Sequence, residues 1–145
     1  MFNFYFELFI TFLWQLPQNI VALLMMPFLG KMKLIRYDLY TFAFECEKMQ
    51  GGISLGNFIF LSPLSAQKEA TIMHEYGHVL DSQKFGWLYL LIIGIPSILW
   101  AGFFSKGKCY YNCYTEKRAN TNAGLKVGSN QYGCFIYIPK DDDED

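Results

Sequence analysis

The chain has 145 residues, which is the length of a single domain. Apolar residues make up 52% and charged residues only 17%, so the composition excludes a disordered chain and favours a protein that contacts lipid. The net charge is -1 and the basic residues are scattered, which excludes an electrostatic surface for nucleic acid.

The first predicted element is an apolar membrane segment at residues 2–29, in which Glu7 carries the only charge. About 20 apolar residues suffice for a helix to cross a bilayer. Pro17 interrupts the segment together with three amide side chains, those of Gln15, Gln18 and Asn19. The sequence is therefore compatible with a kinked span and with two half-depth helices.

The flanks of this segment suggest how it sits in the cell. The first thirty residues of the chain contain no Lys or Arg, whereas a cleavable secretory signal begins with basic residues. This favours a retained membrane segment. Lys31, Lys33 and Arg36 follow directly. The positive-inside tendency then predicts a cytoplasmic location for this end and for the active site.

A β-hairpin is predicted at residues 37–63, where β-branched and aromatic residues alternate with small and polar ones. Its second strand would cover residues 53–61. Gly56 inside that strand predicts a bulge or a close approach of another backbone.

The next element is a helix at residues 65–85, with Ser65 as its N-cap and a stop at Gly86. It contains the sequence H-E-x-x-H at residues 74–78, which holds the only two histidines of the chain. Histidines one helical turn apart can bind one zinc ion, and the glutamate between them can act as a general base. At 100° per residue, His74, His78 and Asp81 share one face, which we expect to point inward.

The apolar stretch at residues 87–104 carries no charge and is nearly long enough to cross a bilayer. A single crossing would separate the histidines from any ligand that follows it. The Gly-Ile-Pro-Ser sequence at residues 94–97 predicts a break. We therefore expect a re-entrant or interfacial hairpin, with Lys84 and Lys106 on the same side.

A helix is predicted at residues 108–124. On this helix Glu116 shares a face with small residues that allow close approach to another helix, so it is the best acidic candidate for a third ligand. Cys109 and Cys113 are interpreted as buried thiols rather than metal ligands. A strand at residues 134–138 and a solvated acidic tail at residues 141–145 complete the chain.

The pattern H-E-x-G-H at residues 74–78 followed by E-x-x-A-N at residues 116–120 resembles the gluzincin metallopeptidases. It is most similar to the membrane group that contains the CAAX prenyl protease and the bacterial heat-shock membrane zinc protease. The resemblance implies that His74, His78 and Glu116 bind Zn²⁺ and that Glu75 is the general base. It also implies an α+β fold in which a β-hairpin or a small antiparallel sheet packs on two zinc-binding helices, with further apolar membrane helices.

One position departs from this family pattern. Asn120 stands where the family has an aspartate, whose charge supports a zinc-bound histidine. An amide oxygen accepts the same hydrogen bond without the charge, so that weaker zinc binding or slower turnover would follow. Asp81 on the histidine face could compensate, and a solvated aspartate at the helix end is the alternative interpretation.

Together these features predict a single metallopeptidase domain at residues 1–140, set in or on a membrane, that hydrolyses a peptide or protein substrate. The oxyanion of the reaction needs a donor, for which the candidates are Tyr110, Tyr111, Tyr114 and Arg118. The strand at residues 53–61 resembles the edge strand on which such enzymes bind substrate; a strand that only packs on the helix is the alternative. Two other functions stay open: a silent membrane protein with a structural or inherited zinc site, and a membrane adaptor or regulator.

Overall fold

The computed structural model describes residues 2–140, so the predicted acidic tail at residues 141–145 lies outside the described residues. Within this range the α-helices are α1 (Phe2–Trp14), α2 (Leu16–Met25), α3 (Glu69–Phe85), α4 (Ile95–Leu99) and α5 (Tyr114–Asn122). The strands are β1 (Met32–Asp38), β2 (Thr41–Cys46), β3 (Gly52–Leu55), β4 (Phe58–Leu61), β5 (Lys126–Asn130) and β6 (Gly133–Tyr137). The predicted α+β class is confirmed.

Four strands form the main sheet in the order β1-β2-β4-β3, and β5 pairs with β6 separately. Strands β2 and β4 are parallel and the other neighbours are antiparallel, so the predicted antiparallel sheet is wrong for the central pair. The single hairpin predicted at residues 37–63 is wrong, because the chain forms two hairpins, β1–β2 and β3–β4. Its predicted second strand at residues 53–61 is divided: β3 turns at Gly56 and Asn57 and returns antiparallel as β4. Gly56 has a φ of +62°, and a Cβ there would clash with Asn19. The space at this glycine is thus tight, but a turn and the Asn19 side chain are the main causes of the tightness, rather than the predicted bulge or backbone approach.

Apolar side chains on the two faces of the sheet contact different helices. Ile59 and Leu61 pack with Ile72 and Val79 of α3. Phe60 packs on the other side with Ala22 of α2. The alternation of strand side chains therefore holds α3 and α2 against opposite faces of one sheet.

The N-terminal apolar segment consists of two short helices, α1 and α2, bent by 88° at Gln15. The three amides that interrupt it are all buried. Gln18 donates hydrogen bonds to Ser82 and to the carbonyl oxygen of Gly86, where α3 ends. The Asn19 side-chain oxygen accepts a hydrogen bond from the main-chain N–H of Asn57. The predicted interruption is confirmed, and the amides bind the end of α3 and the β3–β4 turn.

No individual helix within residues 2–140 combines the length and apolar character needed to cross a bilayer. Two bent pairs reach that length and character only when both members are taken together. One is the α1–α2 pair, and the other joins Glu69–Leu88 to Leu90–Phe104 at a bend of 120°.

The predicted break at residues 94–97 is wrong, and with it the re-entrant hairpin predicted at residues 87–104. The backbone stays helical from Leu90 to Phe104, where α4 is flanked by π-helical turns at Leu90–Gly94 and Trp100–Phe104. Pro96 cannot donate a hydrogen bond to the carbonyl group one turn earlier, that of Ile92. The hydroxyl group of Tyr114 donates to this carbonyl instead. A side chain from α5 thus satisfies the acceptor, and the sharp bend lies before Leu90.

Two helix starts and one cysteine assignment also differ from the sequence predictions. Ser65 begins a short 3-10 turn, and Lys68 is the N-cap of α3. The helix predicted from residue 108 begins at Tyr114. Cys109 is not a buried thiol, because it forms a disulfide with Cys134. This bond joins the segment before α5 to strand β6.

Candidate metal centre

His74 and His78 of α3 meet Glu116 of α5 in a buried cluster that could hold a metal ion. The Nε2 atoms of the two histidines lie 3.0 and 3.5 Å from Glu116 Oε2. The three ligand atoms all lie within 4.8 Å of one another, and Glu116 is fully buried. The structure therefore brings together the three residues proposed as ligands from the sequence.

Helix spacing and a missing side chain explain why these residues meet. The two histidines are four residues apart, so both project from one side of α3. Gly77 lies between them against the backbone of Ala119, and a Cβ at Gly77 would overlap the Ala119 carbonyl oxygen. This close contact of α3 and α5 places Glu116 within reach of both imidazole rings.

The two carboxylate oxygens of Glu116 have different partners. Oε1 accepts hydrogen bonds from the hydroxyl groups of Ser97 and Thr115, whereas Oε2 faces the histidines. Burial raises the pKa of Glu116, but the hydrogen bonds with His74 and His78 outweigh burial and hold that pKa well below its usual value. Glu116 is therefore an ionised carboxylate with one oxygen directed at the cluster.

The hydrogen bonds of His74 fit the requirements of a metal ligand. Its Nδ1 lies 2.7 Å from Asn120 Oδ1, an acceptor, so Nδ1 carries a proton and Nε2 is the atom that can bind metal. Burial lowers the pKa of His74, but the hydrogen bond to Glu116 and the charges of Glu75 and Glu116 raise it above the usual value. The neighbouring carboxylates thus favour a positive charge at this position. The donor set of two imidazoles and one carboxylate suits zinc.

Glu75 is held beside the cluster by strand β3. It is 5% exposed, and its Oε2 accepts a hydrogen bond of 2.8 Å from the Ser54 hydroxyl group. Its Oε1 lies over Gly52, where a Cβ would overlap this oxygen. The general base proposed from the sequence is therefore fixed in a defined orientation.

A cavity of about 260 Å³ opens beside Glu75 and His78. Its polar lining includes Ser54, Ser97 and Tyr110. The remaining wall is mostly apolar and comes from α2, β3 and the Leu90–Phe104 segment: Val21, Met25, Ile53, Leu55, Leu90, Ile95 and Ile98. The volume lies just below the range of about 300–1,000 Å³ that is typical of small-molecule sites.

The four residues considered as oxyanion donors occupy different places. Tyr110 lines the cavity, and Tyr111 packs edge-on against the ring of His74. Tyr114 donates to the Ile92 carbonyl, and Arg118 pairs with Asp81. Tyr110 is thus the candidate that lines the same cavity as Glu75.

The environment of Tyr110 keeps its hydroxyl group protonated. Burial, followed by the charges of Glu116 and Glu75, raises the pKa of Tyr110 above its usual value. The indole of Trp100 donates a hydrogen bond of 2.7 Å to the Tyr110 carbonyl oxygen, which anchors this segment. Tyr110 therefore stays a hydrogen-bond donor at neutral pH.

Asp81 makes a contact that the sequence analysis did not anticipate. Its carboxylate lies 2.6 Å from the Arg118 guanidinium, which also lies over the ring of Phe85. The expected support of a histidine by Asp81 is thus replaced by an ion pair between α3 and α5. The alternative of a solvated aspartate is also wrong, because Asp81 is buried.

Gly52, Ser54 and Ser97 also belong to the site and were not predicted from the sequence. Ser97 is one of few polar residues in an otherwise apolar stretch, a signal that we assigned to a helix break. Ser54 was assigned to a predicted strand without a role in the site. Gly52, Ser54 and Ser97 lie about twenty residues from the histidines along the chain, so only the fold brings them into contact.

Replacing Asn120 with aspartate is expected to strengthen metal binding by about tenfold, since a carboxylate would raise the basicity of His74. The native amide also has a buried nitrogen, Nδ2, without a hydrogen-bond partner in the described part of the chain. Competition with a chromophoric zinc chelator measures this affinity. Asn120→Ala should weaken binding by a similar factor, and equal affinities in all three proteins would contradict a role for Asn120.

Comparisons of the chain with protein-family models, with curated proteins and with solved structures gave no significant match.

Proposed function

We propose that the protein is a small membrane-associated zinc metallopeptidase of the gluzincin type. The observation that carries this proposal is the buried convergence of His74, His78 and Glu116 beside a cavity that also contains Glu75. A coincidental motif in an adaptor protein would not need a third ligand from a distant helix. A purely structural zinc site would normally be closed by four protein ligands, whereas three protein ligands and an adjoining cavity suit catalysis.

Zinc, when bound by these three residues, would supply Lewis-acid activation of water and of the substrate carbonyl group. In this proposal Glu75 would accept the proton of the attacking water and pass it to the leaving amine. Tyr110 would donate a hydrogen bond to the developing oxyanion. Ser97 and Thr115 hold the Glu116 carboxylate, so that its other oxygen stays directed at the cluster.

The proposed substrate is an extended peptide with an apolar side chain near the scissile bond. Strand β3 is an edge of the main sheet and lines the cavity, so its free side can pair with a peptide by main-chain hydrogen bonds. The apolar wall would receive the side chain. The modest volume favours one side chain over a larger ligand.

The proposed membrane association rests on the apolar surface of the helical segments. Exposed large apolar residues include Phe6, Phe9, Leu24, Phe28, Leu91, Ile98 and Phe103. Side chains of this kind over several helices are typical of a lipid-contacting surface. We expect purified protein to float with phosphatidylcholine vesicles in a density gradient. Recovery at the bottom of the gradient, as an unbound protein, would contradict this part of the proposal.

Two features argue for different sides of the membrane. The basic residues after α2 favour the cytoplasmic side, but the positive-inside tendency acts on segments that cross the bilayer. The Cys109–Cys134 disulfide favours an oxidising compartment. We give the disulfide more weight, since it is a covalent bond in the structure, and propose a site on the non-cytosolic side.

Hydrolysis of a peptide library tests the proposed activity. Quenched fluorescent peptides that differ at one position, with leucine, phenylalanine, lysine or aspartate, should be cleaved only when that position is apolar. A zinc chelator should stop the cleavage, and added zinc should restore it. A silent protein with an inherited zinc site would bind the metal and cleave none of the peptides.

A further inference from the structure

We infer that Ser54 is a positioning residue for Glu75, an inference that rests on the proposed function. Ser54 lies on β3, is 5% exposed and pairs with Ile59 of β4. Its side chain points away from the apolar residues of the strand and toward α3. A buried serine in a short apolar strand needs hydrogen-bond partners, and Glu75 supplies both of those seen here.

The hydroxyl group of Ser54 contacts two oxygens of the same residue. Its Oγ lies 2.8 Å from the Glu75 main-chain carbonyl oxygen and 2.8 Å from Glu75 Oε2. A hydroxyl group has one proton to donate. The Ser54 hydroxyl group is therefore shared between the main chain and the carboxylate of Glu75, which ties the carboxylate to the backbone of its own helix.

Gly52 completes this arrangement from the same strand. Glu75 Oε1 occupies the space that a side chain at position 52 would fill. Ser54 therefore holds Oε2, and Gly52 leaves room for Oε1, which is the oxygen left to accept the proton from water. In this way β3 fixes the orientation of the general base.

The position of these residues connects substrate binding to the base. The strand that orients Glu75 is also the edge strand proposed to bind the peptide, and both functions use residues 52–55. The Ser54 side chain binds Glu75, whereas strand pairing with a peptide would use main-chain groups of β3. The Ser54 carbonyl oxygen itself accepts a hydrogen bond of 3.5 Å from the Tyr89 hydroxyl group. A change confined to the Ser54 side chain should therefore alter the chemical step and leave peptide binding intact.

Steady-state kinetics of the full chain with a cleaved apolar peptide test this inference. We expect Ser54→Ala to lower kcat about tenfold, with KM and zinc content unchanged, because one hydrogen bond to a charged group is lost. Ser54→Thr retains the hydroxyl group and should recover most of kcat. Ser54→Cys has nearly native size but a much weaker donor, so it should be as slow as Ser54→Ala.

Ser62→Ala is the matched control, because the Ser62 hydroxyl group contacts Ser65 and lies outside the site. A merely structural role for Ser54 would lower the melting temperature or the zinc content together with kcat, and Ser54→Cys would then behave as wild type. Values of kcat within twofold of wild type in both Ser54→Ala and Ser54→Cys would overturn the inference while leaving the proposed peptidase intact. A wild-type protein that binds zinc but cleaves no peptide would overturn both.

Discussion

Replacing Glu75 with glutamine is expected to leave zinc binding intact and to lower peptide hydrolysis by about 10²–10⁴-fold, the usual contribution of a general base. The amide has nearly the same shape and can still contact Ser54, but it cannot accept the proton of the attacking water. Glu75 is outside the set of three ligand residues, so the metal should remain. Peptide cleavage and zinc content, measured on the same preparation, check both statements.

Glu69→Gln provides a matched control on the same helix. Glu69 pairs with Arg36 at the surface, and its loss should change neither activity nor zinc content. Hydrolysis at the wild-type rate in Glu75→Gln would rule out the proposed base. Loss of zinc from this variant would instead assign Glu75 a place among the ligands.

Removing any of the three ligand side chains is expected to weaken zinc binding by more than about 100-fold, the upper end of what the loss of a supporting residue costs. His74→Ala and His78→Ala each leave one imidazole, and Glu116→Ala removes the only carboxylate of the set. Competition titrations with a zinc chelator give the affinities. Circular dichroism shows whether each variant retains its helices.

Thr121→Ala serves as a control for changes on α5, since Thr121 is exposed and its hydroxyl group contacts only the helix backbone. Unchanged zinc affinity in Glu116→Ala would show that the third ligand lies elsewhere. Unchanged affinity in both histidine variants would remove the basis of the metal centre itself.

Local spacing allowed part of this site to be predicted from the sequence. His74 and His78 are one helical turn apart, so their common direction follows from helix geometry alone. Glu116 was predicted from the small residues around it, and the contact between Gly77 and Ala119 shows why such residues matter. The small residues that pointed to Glu116 in the sequence are thus the residues that allow α3 and α5 to pack closely.

Other features depend on contacts between distant parts of the chain. Pro96 predicts a break by local rules, but Tyr114 supplies the missing donor from another helix. The Cys109–Cys134 disulfide joins residues 25 positions apart, and sequence alone does not specify cysteine pairing. Ser54 meets Glu75 only because β3 packs against α3. Local patterns could not predict such long-range contacts.

The zinc content of the purified wild-type chain decides whether this site is a metal centre. Elemental analysis after incubation with excess zinc and removal of unbound metal should give one zinc ion per chain. The His74→Ala/His78→Ala double variant, treated in the same way, should give a background value. A wild-type chain that retains no more zinc than the double variant would contradict the proposed metallopeptidase.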